Sequence, residues 1–139
     1  MPELPEVETT RRGIEPYVIG HKVTNVIVRD RRLRWAIPQG LEKQIAGGTV
    51  IGTRRRAKYL LIDFDSGCLL VHLGMSGSLR MVSSEEQPRK HDHVDIEFCN
   101  GLILRYHDPR RFGSIHWLSS DSHALLDRLG PEPLSDAFD

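Results

Sequence analysis

The sequence predicts an α+β protein, an antiparallel β-sandwich flanked by an N-terminal and a C-terminal helix. Two observations lead to this fold class: helix signals occur near the two ends, and between them several short β-rich runs alternate with turn signals. The chain has 139 residues, of which 39% are hydrophobic, so it can form one domain with its own core. No apolar run approaches the roughly 18 residues of a membrane span, and the charged start lacks the apolar segment of a secretory signal. We therefore expect a cytoplasmic protein with no membrane partner.

The first predicted element is a helix that opens on proline. Pro2 stands where a helix tolerates proline, at or before the first turn. The acidic residues Glu3 and Glu6 would lie near the positive end of the helix dipole, which favours carboxylates. One face of the helix carries the apolar residues Leu4, Val7 and Ile14. The pair Glu15-Pro16 is predicted to end the helix.

Short strands are predicted to follow, because the hydrophobic period changes from 3.6 to 2. They are expected at residues 23–28, 56–64, 68–73, 93–98, 102–106 and 114–118. Asp65-Ser66-Gly67 and Asn100-Gly101 are typical hairpin turns. In the strand with the clearest alternation, Val94, Ile96 and Phe98 are predicted to face the core and His93, Asp95 and Glu97 to face outward.

The last predicted element is a short helix near the C-terminus. Ser120 or Asp121 can cap it, and it would run through Leu129 to the stop signal Gly130-Pro131. The two cysteines, Cys68 and Cys99, are too few and too far apart for a disulfide framework or a zinc site, and we expect buried thiols.

The net charge is zero, but the basic residues are clustered. The segment from Arg29 to Lys58 carries nine basic and two acidic residues, a local charge of +7. Attraction to a polyanion depends on the local field rather than on the total charge, so this segment can form a phosphate-binding surface. The alternative is several solvated strand faces that never meet in space.

The N-terminus has unusual chemistry available to it. Removal of Met1 would leave Pro2 with a free secondary amine, and an α-amine has a pKa of roughly 7.7 to 8.0, so part of it is neutral near pH 7. Its attack on an aldehydic carbon gives an iminium, which is cationic without protonation and accepts electrons. Glu3 can then act as general acid or base, with Glu6 one turn along the helix. The alternative is that Pro2 and Pro5 only begin a helix.

Six motifs in order cover nearly the whole chain: MPELPEVETTRRGIEP at the start, RRRAKYLL at 54–61, HLGMSGSLR at 72–80, KHDHVD at 90–95, LRYHDPRRFG at 104–113 and LGPEPLSDAF at 129–138. Together they closely resemble the bacterial formamidopyrimidine-DNA glycosylases. The related endonuclease VIII branch usually has Gly where this chain has Leu4, so the resemblance favours the branch that acts on oxidised purines.

The resemblance implies a base-excision repair enzyme, a bifunctional glycosylase and abasic-site lyase for 8-oxoguanine and formamidopyrimidines. Pro2 would attack C1′ of the damaged nucleotide, displace the base and cleave the strand by β- and δ-elimination. Glu3 matches the carboxylate that assists ring opening and proton transfer, and Glu6 matches a second acid of the pocket. Lys58 matches the lysine that holds the DNA backbone at the lesion. Alternation would place Lys58 beside apolar Leu60 and Ile62, an odd position for an idle surface lysine.

Met75, Arg110 and Phe112, which we call the wedge, match the residues that fill the gap left by an extruded nucleotide. Arg110 would also hydrogen-bond the orphaned cytosine. Core packing is the alternative for Met75 and Phe112, although both are predicted to lie in loops.

Further DNA contacts are implied for His72 and His91, which match phosphate-binding residues of the family, and for Arg111. Taken without the resemblance, His91, His93 and Asp95 can be interpreted as metal ligands on one strand face, but no fourth ligand stands out at a suitable spacing.

The family's second domain, with a helix-two-turns-helix element and a four-cysteine zinc finger, has no counterpart in these residues. We therefore interpret 1–139 as an N-terminal catalytic domain, either excised or from a truncated gene product. No cofactor or metal is expected in this segment, and zinc is expected in the absent finger. The expected partner of this monomer is duplex DNA with an oxidised purine or an abasic site. The alternative is a catalytically incompetent fragment that acts as a weak DNA-binding β-sandwich module.

Overall fold

The computed structural model describes residues 4–119. In this range the elements are α1 (Leu4–Val18), β1 (Val23–Val28), α2 (Leu41–Ile45), β2 (Val50–Arg56), β3 (Tyr59–Phe64), β4 (Gly67–His72), β5 (Ser78–Ser83), β6 (Asp92–Phe98), β7 (Leu102–His107) and β8 (Ser114–Ser119). No helix within 4–119 is long and apolar enough to span a bilayer. The helix predicted from Ser120 or Asp121 to Leu129 lies outside the described residues.

The eight strands form two antiparallel sheets of four strands each. The first sheet has the order β1-β6-β7-β5 and the second the order β2-β3-β4-β8. One apolar core contains buried side chains of both sheets, among them Leu60, Val71, Val94, Leu104 and Ile115. The predicted α+β sandwich is confirmed.

Helix α1 packs its apolar stripe into this core. Val7 and Ile14 are buried as predicted, and Val18 extends the stripe by one more turn. The prediction that Glu15-Pro16 ends the helix was wrong, because α1 continues through Val18 with Pro16 inside it. Pro16 removes one hydrogen bond in the last turn, and the complete burial of Val18 favours the helical conformation there despite this loss.

The strand predicted at 56–64 is two structures, the end of β2 and the whole of β3. Arg56 pairs with Tyr59, so residues 57–58 form a tight turn between two antiparallel strands. Lys58 therefore lies in a turn. The prediction that it lies in a strand on the same side as Leu60 and Ile62 was wrong. Ala57 adopts a φ of 51°, a conformation for which hairpins usually use Gly or Asn. Because the chain has Ala at this position, the sequence carries no recognisable signal for the turn. The arginine-rich β2 and the strand β5 were also not predicted.

The alternation along β6 predicted one face correctly. Val94, Ile96 and Phe98 are buried, which confirms the core-facing set. His93 and Asp95 are buried too, which corrects the expectation that they face solvent, and only Glu97 of that set stays partly exposed. The second face is covered by the Arg29 and Arg105 side chains at Asp95 and by the carbonyl of Asp108 at His93.

The two cysteines differ in environment. Cys68 is buried and Cys99 is exposed, so the prediction of two buried thiols holds for Cys68 alone. Desolvation raises the pKa of the Cys68 thiol to about 12, which keeps it protonated at neutral pH.

Candidate nucleic-acid interface

Three connections leave the second sheet side by side because of its register. Arg56 pairs with Tyr59, Tyr59 with His72, and His72 with Ser114. The 57–58 turn, the 73–77 loop and the 108–113 loop therefore emerge at the same end of neighbouring strands, which we call the loop end. Sequence-predicted site residues occur in all three connections: Lys58 in the first, Met75 in the second, and Arg110, Arg111 and Phe112 in the third.

The start of α1 lies toward the loop end. Glu15 in the last turns of the helix hydrogen-bonds Thr53 of β2, whereas Glu8 near its start is 3.7 Å from the Arg55 guanidinium. Moving toward the N-terminus of α1 thus means moving along β2 toward the 57–58 turn. Glu6 is exposed in the first turn of the helix. Pro2 and Glu3 lie outside the described residues.

Glu8 is held as a carboxylate by its neighbours. Hydrogen bonds from Arg11 lower the pKa of Glu8 to about 2, with further help from Arg12 and against the effect of desolvation. The Arg11 side chain also donates to Thr53 at 3.1 Å and so ties the helix to β2. Glu8 therefore serves as an anchor of α1, and it is not available as a proton donor near neutral pH.

Lys58 follows a backbone conformation that costs free energy. The left-handed φ at Ala57 costs a residue with a Cβ roughly 1 kcal/mol or more. Arg55 Nη1 donates to the carbonyl of Ala57 at 3.0 Å and fastens the turn to its own strand. Such local strain is concentrated at functional sites in proteins, and a functional role for the neighbouring Lys58 stays a prediction.

The wedge residues extend into solvent from the other two loops. Met75 is 49% exposed and Phe112 is 44% exposed, so neither packs in the core. The Arg110 guanidinium lies 5.0 Å from the centre of the Phe112 ring, a cation–π contact. An exposed ring held beside a cation, with an exposed thioether in the other loop, gives a surface suited to a stacked and charged ligand.

The backbones of the 73–77 and 108–113 loops touch at two glycines. A Cβ on Gly74 would lie 2.6 Å from the Gly113 nitrogen, and a Cβ on Gly113 would lie 2.0 Å from the Tyr106 hydroxyl and 2.5 Å from the His72 carbonyl oxygen. Only residues without a side chain allow this approach. The two loops therefore form one compact layer beneath the wedge.

Replacing Gly113 by Ala will lower the free energy of unfolding by about 2 kcal/mol or more, since overpacking of backbone and buried groups has costs of this size. Urea unfolding followed by circular dichroism measures it. The matched control is Gly13→Ala, since a Cβ there meets nothing within 4 Å in an ordinary helical conformation and should add up to about 1 kcal/mol of stability. Equal effects of the two substitutions would contradict the close approach of the loops.

The two histidines predicted to contact phosphate differ in accessibility. His72 is buried, its Nδ1 accepts the Gly74 N–H at 3.0 Å, and its ring meets the Tyr59 ring edge-on. His91 is partly exposed at a φ of 72°. Desolvation and the positive charge of Lys90 hold the pKa of His91 below its ordinary value. The negative charge of a phosphate bound at His91 would raise this pKa again. Phosphate contacts by His72 and His91 both stay predictions.

The residues of the alternative metal site are engaged elsewhere. His93 Nε2 donates to the carbonyl of Asp108 at 2.8 Å, and Asp95 binds two guanidinium groups, those of Arg29 and Arg105. Among residues 4–119 no group of three or more His, Cys, Asp or Glu side chains is placed to hold a metal ion. The interpretation of His91 and these two residues as a metal site has no support in this geometry.

Arg111 braces the 108–113 loop against the connection after β1. Its Nη2 lies 2.9 Å from Asp30 Oδ2, and its Nη1 donates to the carbonyl of Arg32 at 2.9 Å. Hydrogen bonds from Arg32, with help from Arg111, hold the pKa of Asp30 well below its usual range. A DNA contact by Arg111 remains a prediction, and the structure adds this bracing role.

The basic segment 29–58 is extensively paired with carboxylates. Five of its arginines form ion pairs: Arg29 with Asp95, Arg31 with Glu42, Arg32 with Asp30, Arg54 with Asp63, and Arg55 with Glu8. Several of these carboxylates come from outside the segment, so the sequence count overstated the local charge. The segment also divides between the connection after β1 and the strand β2, and its local charge alone does not define a phosphate-binding surface.

Two residues of this site, Ser76 and Asp108, were not predicted from the sequence. Both lie in the loops of the wedge, and Asp108 is completely buried. The dipeptide Asp108-Pro109 is a recognisable turn signal, but a turn signal does not show that the aspartate is buried.

The chain is similar to known proteins in sequence and in structure. Residues 1–115 match the family model described as the formamidopyrimidine-DNA glycosylase N-terminal domain. The chain is 59% identical over 140 residues to the formamidopyrimidine-DNA glycosylase of Pseudomonas entomophila strain L48, covering 100% of the chain and 52% of that protein. It is 58% identical over 139 residues to the enzyme of the same name from Pseudomonas aeruginosa strain LESB58, covering 99% and 52%.

Solved structures give the same relationship. The Lactococcus lactis Fpg in complex with a FAPY-dG containing DNA superposes with a TM-score of 0.81 at 33% identity, covering 91% of this chain and 48% of that one. The Lactococcus lactis Fpg in complex with an abasic site containing DNA superposes with a TM-score of 0.81 at 32% identity, and the match again covers 91% of this chain and 48% of that one. The chain spans about half the length of the curated relatives it matches. On the match over residues 1–115, the chain belongs to the family of formamidopyrimidine-DNA glycosylase N-terminal domains.

Proposed function

We propose that residues 1–139 are the catalytic N-terminal part of a DNA glycosylase and abasic-site lyase that removes oxidised purines in base-excision repair. The observation that carries the proposal is the arrangement of chain segments at the loop end. There the turn of Lys58 and the two loops of the wedge emerge side by side, and α1 points its N-terminus toward them. A nucleophile at the start of α1 would thus lie on the same side of the molecule as the groups that open the duplex.

In this proposal the chemistry belongs to the N-terminus. The Pro2 amine bonds to C1′ of the damaged nucleotide as the glycosidic bond breaks, and the resulting iminium draws electrons during β- and then δ-elimination of the flanking phosphates. Glu3 moves protons during ring opening, and Glu6 lines the pocket. Lys58 pairs with the backbone phosphate next to the lesion.

The wedge makes the nucleotide accessible. Extruding a nucleotide costs a few kcal/mol of stacking and pairing, which the enzyme must offset. Met75 and Phe112 would fill the vacated space, and Arg110 would hydrogen-bond the orphaned cytosine. Of the remaining predicted contacts, His91 is the more accessible phosphate ligand and His72 the less accessible one.

The proposal includes duplex DNA as partner, a monomeric state and a location in the bacterial cytoplasm. Zinc, which the family resemblance places in a C-terminal finger, does not fit the described residues of this chain. Cys68 is buried in the second sheet with a pKa of about 12, and Cys99 lies on the surface. A zinc site needs several thiolates or imidazoles converging on one point, so we assign no zinc site to residues 4–119, the part of the chain that the structure describes.

Borohydride trapping tests the proposal. Protein with a free Pro2 should form a covalent adduct with a duplex that contains an abasic site, because borohydride reduces the iminium to a stable amine. We expect less adduct with an 8-oxoguanine duplex, since the surviving contacts must also offset the cost of base extrusion. Undamaged duplex is the control. Salt-dependent duplex binding with no adduct on either damaged substrate would favour the weak DNA-binding β-sandwich module instead.

A further inference from the structure

A buried carboxylate lies where the two wedge loops meet. Asp108 is fully buried and accepts four hydrogen bonds. Its Oδ1 accepts from the Ser76 hydroxyl at 2.9 Å and the Arg111 N–H at 3.0 Å, and its Oδ2 accepts from the Tyr106 hydroxyl at 2.8 Å and the Gly113 N–H at 2.9 Å. These donors belong to the 73–77 loop, to strand β7 and to the 108–113 loop itself. A single carboxylate thus joins three segments of the chain.

Ser76 of the 73–77 loop makes two hydrogen bonds to the 108–113 loop. Its hydroxyl donates to Asp108 and accepts the backbone N–H of Arg110 at 3.2 Å. Ser76 is the neighbour of Met75 in sequence, and Arg110 is a wedge residue. One hydroxyl group therefore sets the position of the Met75 loop against the backbone of Arg110.

The carboxylate cannot be replaced by an amide without conflict. Each oxygen of Asp108 faces one backbone N–H and one hydroxyl, so the NH₂ group of an asparagine would oppose a fixed backbone donor in either orientation. Burial, with the nearby Asp108 charge, raises the pKa of Tyr106 above its usual value, so this phenol stays a donor. The arrangement requires a hydrogen-bond acceptor at both oxygen positions of residue 108.

A fixed loop backbone matters for a group that enters a DNA stack. Met75 and Arg110 have long flexible side chains, and inserting them into a duplex orders them at an entropic cost. If the backbones of the two loops also moved independently of each other, ordering them would add a second entropic cost to DNA binding. The shared carboxylate and the Gly74–Gly113 contact hold the two loop backbones against each other, which would remove this second contribution to the cost.

We propose that Asp108 is a positioning residue that, through Ser76, locks the 73–77 and 108–113 loops together so that Met75, Arg110 and Phe112 enter the duplex as one unit. The inference rests on the proposed function, because it assigns these three residues to a wedge. It adds a residue that is too deeply buried to contact DNA and yet controls duplex opening.

The test uses the Ser76→Ala variant, which removes the link and leaves the carboxylate in place. The probe is a duplex with a tetrahydrofuran abasic-site analogue next to 2-aminopurine, whose fluorescence rises when it is unstacked. We expect Ser76→Ala to need about tenfold more protein for the half-maximal rise, as expected for the loss of one hydrogen bond to a buried charged acceptor. Binding to the same analogue in single-stranded DNA, which has no stack to open, should change by less than about twofold.

Two further variants complete the design. Ser83→Ala, at the exposed end of β5, is the matched control and should leave both binding curves unchanged. Asp108→Asn should lose more duplex response than Ser76→Ala and should also lower the melting temperature. If Asp108→Asn does not fold, Ser76→Ala carries the test alone.

Several outcomes would overturn the positioning role. These are an unchanged duplex response in Ser76→Ala, an equal loss on duplex and single-stranded DNA, or no fluorescence rise with the wild-type protein. Cleavage of a natural abasic site is measured separately on the same proteins. A wild-type chain that unstacks 2-aminopurine but never cleaves would count against the proposed catalytic function and leave the positioning role supported.

Discussion

Protein that retains Met1 will show no borohydride adduct with an abasic-site duplex, whereas protein processed to a free Pro2 will be trapped. In the unprocessed chain the Pro2 nitrogen belongs to a peptide bond, and its lone pair is delocalised and cannot attack C1′. We expect strand cleavage to fall by at least about a thousandfold, as when other enzymes lose a nucleophile. Mass spectrometry of the N-terminus, run beside the cleavage assay, measures the fraction that is processed.

The control for this experiment is processed protein with one residue added at the C-terminus, which restores the length of the unprocessed chain and leaves the Pro2 amine free. Robust cleavage by fully Met1-blocked protein would refute Pro2 as the nucleophile. Lys58 would then be the replacement candidate, because its turn opens at the loop end toward which α1 points. A Lys58→Ala variant in the Met1-blocked background would show whether Lys58 or the α-amine of Met1 carries the remaining reaction.

The substitution Asp95→Asn will destabilise the domain by about 3 to 5 kcal/mol, the range measured when one partner of a buried ion pair is removed. Asp95 and Arg105 are each only 1% exposed in their side chains and are joined by two hydrogen bonds of 2.9 and 3.0 Å. Arg29 adds a third contact at 2.6 Å. The variant leaves the Arg105 guanidinium buried beside a neutral amide. Domains are typically stable by only about 5 to 15 kcal/mol, so a large share of the stability is at risk.

Urea unfolding measures this difference, and the chain offers a matched control. Arg54 and Asp63 also form a two-bond pair, at 2.7 and 2.9 Å, but Arg54 is more than one-third exposed. Asp63→Asn should therefore cost about 1 kcal/mol or less. A similar loss in the two variants would show that burial does not set the strength of the Asp95 pair.

The Asp95 pair also predicts a dependence on pH. Desolvation raises the pKa of Asp95, but the hydrogen bonds from Arg105 and Arg29 outweigh it and lower the pKa below its ordinary value. A group with a lowered folded-state pKa stabilises the protein above its unfolded-state pKa, about 3.9 for aspartate, and loses that contribution as the pH falls through the folded value. The stability gap between wild type and Asp95→Asn should thus be largest near pH 7 and narrow in acid. A gap that widens in acid would contradict the pairing.

Local patterns in the sequence were enough for several elements of the fold. The stripe of Val7 and Ile14 predicted the buried face of α1, and the alternation of Val94, Ile96 and Phe98 predicted the inner face of β6. Both patterns arise from the geometry of a single element, since helices repeat every 3.6 residues and strands every two. The motifs also identified the family, because they preserve residue types and spacings along the chain.

Errors arose where distant residues decide the outcome. Pro16 was taken as a helix end because the burial of Val18 that holds the last turn depends on the assembled core. His93 and Asp95 were predicted to face solvent because their covering groups, the Asp108 carbonyl and the Arg105 side chain, come from other parts of the chain. Lys58 was placed in a strand because the turn at Ala57 lacks the usual residues.

The sequence by itself determined the secondary-structure periods, the family and the identity of the candidate residues from Pro2 to Phe112. Only the tertiary structure decided that Lys58, Met75 and Arg110 lie at one end of one sheet, because strand register couples residues far apart in the chain. It alone decided which arginines of the basic segment are paired, and that Asp108 is buried between two loops. Hydrogen bonds and ion pairs act over a few ångströms in space, and sequence separation does not report that distance.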